Sequence, residues 1–155
     1  MTVNFVTNKG TMLHLERFLP YRLNRVAEAV SDEIRPIYKG LHGMNRPEWR
    51  VLVALAHIGP ATATALCRHS AQHKTKVSRA VVALEKRRWI TRDNDPADRR
   101  SEILQLNAAG HAAYRQIAGP VADADAAIQA KLAPGDRAAL EQGLAALERA
   151  MGLVD

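Results

Sequence analysis

The stretch that decides the fold lies in the middle of the chain, where residues 73–106 read HKTKVSRAVVALEKRRWITRDNDPADRRSEILQL. Its first half repeats apolar residues at helical spacing: Val77, Ala80, Val81 and Leu84. Its second half changes to strand-like alternation on either side of a polar, turn-forming tip at 92–100. The pattern predicts a helix over about 73–88 and an antiparallel ribbon made by 89–91 and 101–106.

Two shorter helices are predicted ahead of this stretch. Asn45 is expected to cap the first, with Pro47 in its opening turn, and Gly59-Pro60 stops it. The second covers about 61–69. Because an isolated two-stranded ribbon is only marginally stable, it must lean on these helices. Together they predict a winged helix-turn-helix over 45–107, which we call the winged lobe.

The flanking regions have longer helical patterns. One apolar stripe repeats at steps of three and four residues, through Leu23, Val26, Val30, Ile34, Ile37 and Leu41. Pro36 should kink this helix, and Gly40 and Gly43 should end it. Two further helices are predicted over about 108–132, with a kink at Gly119-Pro120, and over about 135–151.

These flanks, 12–44 and 108–152, are expected to form a second structural unit, which we call the helical layer. The pattern over residues 1–155 thus predicts a single, mainly α domain with a small two-stranded β-wing. The C-terminal helices are rich in alanine, and aromatic residues are only 5% of the chain. Because such helices bury little area on their own, a second copy of the chain is the expected partner, giving a homodimer.

Charge points to a polyanionic partner. The formal net charge is +6, and residues 68–100 alone carry ten basic and four acidic side chains, a balance of +6. The lone cysteine, Cys67, permits no internal disulfide. The sequence shows neither a signal peptide nor an apolar stretch of membrane-spanning length. We therefore expect a cytoplasmic protein that does not associate with membranes.

The helix predicted over about 73–88 has the residue types that sequence-specific DNA binding requires. A recognition helix docks by an apolar side and presents short polar and long basic residues to the major groove. Its N-terminus also favours phosphate. The candidate DNA-binding residues here are Lys74, Thr75, Lys76, Ser78 and Arg79.

The ribbon tip adds a second candidate contact. Arg99 and Arg100 follow a turn, and an arginine at such a tip can enter a minor groove, where negative potential is concentrated. Asp98 is expected to orient Arg100 by a charge-assisted hydrogen bond. The simpler alternative is a salt bridge within the loop.

Two segments, PEWRVLVALAHIGPATATALCRHS (47–70) and HKTKVSRAVVALEKRRWITRDNDPADRRSEILQLNAAG (73–110), resemble the MarR family of regulators. The resemblance implies a triangular homodimer that binds a pseudo-palindromic operator, usually as a repressor. It places the residues just named at the major-groove positions, Arg100 at the wing tip and Asp98 beside it. Asn107 replaces the family's common threonine. Trp89 stands where a glycine is expected to end the recognition helix.

The resemblance also implies a small-molecule effector that releases the DNA, often an aromatic or anionic compound. The FLPYRL run (18–23) resembles the branch that controls aromatic-acid catabolism, some members of which respond to aromatic acyl-CoA thioesters. The candidate pocket residues are Phe18, Arg22, Arg25, Tyr38, His42, Trp49 and Arg50. A core role for Trp49 and solvated arginines are the simpler readings.

Other functions have weaker support. Cys67 suggests a thiol-redox sensor, although a small buried side chain is the simpler role. Cys67 with His69 and His73, or the aspartates of the wing, are poor metal sets, so neither metal nor cofactor is expected. The chain shows no motif of a known catalytic class, so we expect no enzyme. The remaining alternative is a winged helix that binds a protein partner and no operator.

Overall fold

The computed structural model describes residues 5–6 (backbone only), 12–98 and 100–154. A short hairpin pairs β1 (Phe5–Val6) with β2 (Met12–Leu13), and a single 3-10 turn leads from it into the first long helix. The remainder of the predicted N-terminal tail lies outside the described residues.

The first long helix, α1 (Leu19–His42), follows the predicted apolar stripe. Gly43 ends it in the left-handed conformation at φ 60°, a backbone geometry that glycine adopts without a Cβ penalty. Gly40 lies within the helix and does not end it, and Pro36 also lies inside. The second half packs through Ile34 and Ile37, whereas the first half is exposed to solvent.

The second helix, α2 (Arg46–Ile58), begins at the predicted cap. The Asn45 side chain accepts a hydrogen bond from the Glu48 backbone N–H at 2.9 Å, and the Glu48 carboxylate accepts one from the Asn45 N–H at 3.4 Å. This reciprocal pair satisfies two N–H groups that a helix start otherwise leaves open. The buried side of α2 is Val51, Leu52, Ala54 and Leu55.

The helix-turn-helix pair follows as α3 (Ala63–Ser70) and α4 (Lys74–Lys86). Thr62 caps α3 by accepting a hydrogen bond from the Ala65 N–H at 3.2 Å. Ala71 takes a left-handed conformation at φ 49° and turns the chain between the two helices. The four apolar residues predicted to face inward on α4, Val77, Ala80, Val81 and Leu84, are all buried.

The sheet has three strands, where the sequence predicts two. β4 (Ile90–Asn94) and β5 (Glu102–Leu106) form the predicted ribbon, and β3 (Ala61–Thr62) pairs with the other edge of β5. Ala61 lies opposite Leu104, and Thr62 lies opposite Ile103. Residues expected to begin α3 therefore form a strand instead. This pairing ties the ribbon to the helices, which a two-stranded wing needs for stability.

Two C-terminal helices complete the chain. α5 (Ala108–Ala130) continues through Gly119-Pro120, and Asn107 caps it by accepting a hydrogen bond from the Gly110 N–H at 3.0 Å. α6 (Pro134–Ala150) follows. The buried core joins α2, α3, α4 and the sheet to the second half of α1 and the first half of α5. The described part of α6 contributes no buried residue to it.

Candidate nucleic-acid interface

The outer face of α4 presents the predicted DNA-binding side chains. Burial of the apolar side of α4 directs the opposite faces to solvent, and all five candidates are exposed: Lys74, Thr75, Lys76, Ser78 and Arg79. His73 precedes the helix, and its side chain makes no capping hydrogen bond. The first turn of α4 therefore receives no side-chain cap from His73, which suits this helix end to an external acceptor such as a phosphate.

The wing tip is organised by its aspartates through the backbone. The Asp98 carboxylate accepts hydrogen bonds from the Arg100 backbone N–H at 3.0 Å and from the Ser101 hydroxyl at 2.9 Å. Both hydrogen bonds lower the pKa of Asp98 below its ordinary value of 3.8. In the structure the Asp98 carboxylate shapes the turn, and its orienting effect on the Arg100 guanidinium stays a prediction. Arg99 lies outside the described residues.

An arginine fork braces the wing against α4, and sequence reasoning did not find it. Arg92 on β4 donates two hydrogen bonds to the Glu85 carboxylate, at 2.8 and 3.0 Å, and one to Glu102 on β5 at 2.5 Å. These acceptors raise the pKa of Arg92. Glu85 and Glu102 lie 7 and 10 residues from Arg92 in sequence, on α4 and on β5, so their meeting depends on the packing of α4 against the ribbon and on the ribbon's register. The brace restrains the wing relative to the recognition helix.

The end of α4 differs from the expectation for Trp89. Arg88, not Trp89, takes the left-handed conformation, at φ 58°. The Trp89 N–H then donates to the Leu84 carbonyl at 3.1 Å, a bond typical of a helix ending in a left-handed residue. The Asn107 side-chain amide donates to the Arg88 carbonyl at 2.8 Å and holds this turn against the start of α5.

Gly110 permits the close approach of α5 to the same turn. A Cβ built on Gly110 would lie 2.2 Å from the Trp89 carbonyl oxygen and 3.2 Å from a Leu106 methyl. Neither distance leaves room for a side chain, and the nearer atom is backbone. The recognition helix, the wing and the helical layer therefore meet at one tightly packed position.

The seven effector-pocket candidates fall into two separate groups. Arg22 and Arg25 line an open cleft of about 340 Å³ on the exposed half of α1, with Phe18 nearby in sequence and partly exposed. The other four, Tyr38, His42, Trp49 and Arg50, lie where α1 ends and α2 begins. A helical rise of about 1.5 Å per residue places Arg22 about 24 Å from Tyr38. One protomer therefore cannot combine all seven residues in a single small pocket.

The second group combines aromatic rings with unpaired polar groups. Tyr38 stacks on Trp49 with ring centroids 5.7 Å apart. The Tyr38 hydroxyl and His42 Nε2 are buried without a hydrogen-bond partner among the described residues. Burial raises the pKa of Tyr38 and lowers the pKa of Arg50, and Arg46 lowers the latter further. A polar group of a ligand would satisfy these two atoms.

The residues considered for thiol or metal chemistry do not converge. Cys67 is a partly buried free thiol that packs against the core. Over residues 12–98 and 100–154, three or more His, Cys, Asp or Glu side chains nowhere gather closely enough to hold a metal ion. His69 instead lies beside His57 of α2, with ring centroids 5.5 Å apart.

The geometry therefore defines a winged helix-turn-helix with a basic recognition helix. A sequence model of the MarR family matches residues 42–101. This segment covers the end of α1 through the wing tip.

Solved structures share the fold. One is regulator PA4135, with a TM-score of 0.77 and 22% identity over 85% of this chain and 96% of that one. Another is the MarR family regulator Sco3205 from Streptomyces coelicolor in complex with DNA. Its TM-score is 0.75, with 24% sequence identity over 93% of this chain and 92% of that one. A third is NadR in complex with 4-hydroxyphenylacetate. Its TM-score is 0.71, with 25% sequence identity over 84% of this chain and 92% of that one.

These likenesses confirm the predicted fold class, a mainly helical winged helix-turn-helix with a small β-wing. No curated protein matches the chain in sequence. Among the helices that the structure describes, none combines the length and the apolar character needed to cross a membrane.

Proposed function

We propose that the chain is a sequence-specific DNA-binding transcriptional regulator that acts as a homodimer on a pseudo-palindromic operator, as a repressor. The observation that carries this proposal is the recognition helix α4. Its apolar side is fully buried, and its outer face presents Lys74, Lys76 and Arg79 to solvent at the N-terminal turns. The domain match and the Sco3205–DNA complex support the same function.

A binding assay on DNA selected from a random pool tests the proposal. We expect log Kd to rise linearly with log salt concentration, because each phosphate contact releases counterions. Lys76→Ala should weaken binding to the selected site more than binding to random DNA, since its position predicts a base contact. Arg100→Ala should reduce affinity by about 1–3 kcal/mol. Lys86→Ala, at the far end of α4, is the matched control.

Three results would contradict parts of this assignment. Equal losses on selected and random DNA would make Lys76 a phosphate contact. Unchanged affinity in Arg100→Ala would remove the wing tip from the interface. Failure of the wild-type chain to retard any DNA at low salt would overturn the proposal and favour a winged helix that binds a protein partner.

The homodimer is supported by apolar residues that a single chain leaves exposed. In the helical layer these include Leu23, Val26, Leu140 and Leu144, with 39, 59, 48 and 44% of their surface accessible. Burying such a surface against a second copy favours association by about 25 cal/mol per Å² of apolar area. Leu144→Glu should therefore yield monomers in sedimentation analysis. Val82→Glu, a comparably exposed apolar site on α4, should leave the dimer intact.

We further propose that an aromatic or anionic small molecule binds near Tyr38, His42, Trp49 and Arg50 and releases the DNA. The specific observation in favour is the pair of buried, unpartnered atoms, the Tyr38 hydroxyl and His42 Nε2, beside a stacked indole ring. The NadR complex with 4-hydroxyphenylacetate supports this ligand class, and an aromatic acyl-CoA is a larger variant of it.

The two tryptophans of the chain report on this region directly, because Trp49 stacks on Tyr38 and Trp89 contacts His42. Titration with 4-hydroxyphenylacetate, benzoates, hydroxycinnamates and their CoA thioesters should quench fluorescence with one compound and release DNA at matching concentrations. Tyr38→Phe should weaken the binding of that compound, whereas Tyr21→Phe should leave its binding unchanged. DNA release by peroxide that Cys67→Ser abolishes would instead assign a thiol sensor.

A further inference from the structure

One guanidinium joins three helices of the molecule. Arg87 is the C-terminal cap residue of α4, and its side chain is only 28% exposed. Its Nη1 donates to the His42 carbonyl at 2.7 Å, and its Nη2 lies 3.4 Å from the Gly43 carbonyl and 3.3 Å from Glu48 Oε2. The recognition helix is thereby bonded to the end of α1 and to the start of α2.

The acceptors of Arg87, two carbonyls at the end of α1 and the Glu48 carboxylate, each need a hydrogen-bond donor. The last carbonyls of α1 have no partner within their own helix, and a cation there also interacts favourably with the helix dipole. Glu48, only 12% exposed in its side chain, already closes the cap of α2 with Asn45. A planar fork can serve carbonyls and a carboxylate together, whereas the single ammonium of lysine cannot hold the same geometry.

The aromatic neighbours confine the fork further. The Arg87 Cζ lies 5.2 Å from the centroid of the Trp89 ring, a cation–π distance. Trp89 in turn meets the His42 ring edge to face, with centroids 5.1 Å apart. The side chain is thus held from α1, from α2 and from the residues that follow α4.

This junction, Arg87 with His42, Gly43, Glu48 and Trp89, connects elements that pack mainly elsewhere. α1 packs chiefly on α5, and α4 packs chiefly on α2, α3 and the start of the wing. Without this side chain, the helical layer would contact the recognition helix mostly indirectly, through the other helices and the wing. Arg87 gives the two a direct polar bond between residues 45 positions apart.

We propose that Arg87 is a positioning residue that fixes the orientation of the recognition helix relative to the helical layer, and so sets the half-site spacing that the dimer accepts. The inference rests on the proposed DNA-binding function. In a dimer held together by the helical layer, the angle between α1 and α4 determines how far apart the two recognition helices lie. A rigid junction selects one spacing, and a loosened junction tolerates several.

The test compares operators that differ only in the distance between half-sites. The site selected from random DNA is remade with one base pair added to or removed from its centre, and Kd is measured on all three. We expect the wild type to prefer the selected spacing. Arg87→Lys keeps the charge and should reduce that preference by roughly three- to tenfold. Affinity for a single isolated half-site should stay unchanged.

Two further variants separate positioning from stability. Glu48→Gln removes one charge from the junction with a side chain of nearly the same size and should lower the preference in the same direction, by less. Arg115→Lys, the same substitution at an exposed position on α5, should change nothing. A simple loss of folded protein would weaken all operators alike and leave the ratio between them constant.

The outcomes distinguish the two levels of inference. A wild type that prefers one spacing, with an identical preference in Arg87→Lys and Glu48→Gln, overturns the role of Arg87 and leaves DNA binding intact. A wild type that binds no selected DNA overturns the proposed function and this inference with it. A reduced preference in both variants, with unchanged half-site affinity, establishes the positioning role.

Discussion

The winged lobe and the helical layer differ in where they bury apolar residues. In the lobe, Leu52, Leu66 and Leu84 are fully buried within a single chain. In the layer, Leu140 and Leu144 remain about half exposed, and α6 contributes no buried residue. The lobe therefore packs within one chain, together with the second half of α1 and the first half of α5, whereas α6 and the first half of α1 leave apolar side chains open to another surface.

This difference teaches that the two regions obtain their stability from different sources. Unfolding of the lobe should depend on its own packing and be independent of protein concentration. Stability of the layer should rise with concentration, as expected where association buries the surface. The tight positions between them, at Gly110 and Arg88, then determine how closely the two regions are linked. The following substitutions test this comparison in order of decreasing effect.

The largest effect is expected from Gly110→Ala, at the contact between the regions. The added Cβ would lie 2.2 Å from a backbone oxygen, which no rotamer change can relieve. We expect destabilisation by about 3 kcal/mol or more, the upper range of overpacking. Thermal unfolding followed by circular dichroism measures it. Gly40→Ala, inside α1 with no atom within 4 Å of the added methyl group, should be neutral or stabilising, and equal effects at both sites would refute the contact.

A pair of leucine truncations separates the two cores. Leu84→Ala removes a side chain with no exposed surface and should lower the free energy of unfolding by about 3 kcal/mol at every protein concentration. Leu144→Ala, 44% exposed, should leave the lobe unchanged and weaken the dimer by roughly tenfold. Denaturant unfolding at two concentrations checks both. A concentration-independent loss in Leu144→Ala would contradict the comparison.

Local signals in the sequence predicted most of the lobe. The Asn45 cap, the buried side of α4 and the ribbon each depend on residues close together in the chain, and each is observed. The strand β3 was missed because two residues carry no periodicity, and Ala61 becomes a strand only through pairing with β5. Helix boundaries moved by one or two residues for similar reasons.

The part of the candidate site that lies on one helix was predictable from the sequence. The part that depends on turns was not. Exposure of the α4 candidates follows from helical periodicity. The partners of Asp98 and the left-handed residue at the end of α4 depend on backbone angles that residue types do not determine. The effector candidates were assembled by chemical type, and only the length of α1 separates Arg22 from Tyr38. Their roles, like those of the DNA contacts, stay predictions.

A smaller effect of opposite sign is expected at the end of α4. Arg88 is a non-glycine residue at φ 58°, and Arg88→Gly should relieve about 1 kcal/mol of backbone strain. Gly43→Ala makes the reverse change at φ 60°, at the end of α1, and should cost about 1 kcal/mol. Melting temperatures should move in opposite directions by about 2–4 °C each. Shifts of the same sign would exclude strain as the cause.

The smallest effect concerns the wing tip, far from both cores. Asp98 is exposed, and its pKa is lowered by the Arg100 N–H and the Ser101 hydroxyl. A lowered pKa means that the carboxylate stabilises the turn fully above about pH 3.8 and loses this effect as the pH falls through the lower, folded-state value. Operator binding between pH 5 and 8 should therefore not depend on this group.

Asp98→Asn keeps one acceptor oxygen for the Arg100 N–H and removes the charge. Because the turn is open to solvent, we expect operator affinity to fall only about two- to threefold, with no measurable change in melting temperature. Carboxyl NMR titration of the wild type should give an Asp98 pKa below 3.8. A value at or above 3.8 would contradict the hydrogen-bonded turn. A large affinity loss at a normal melting temperature would instead show that Asp98 acts on Arg100 or on DNA directly.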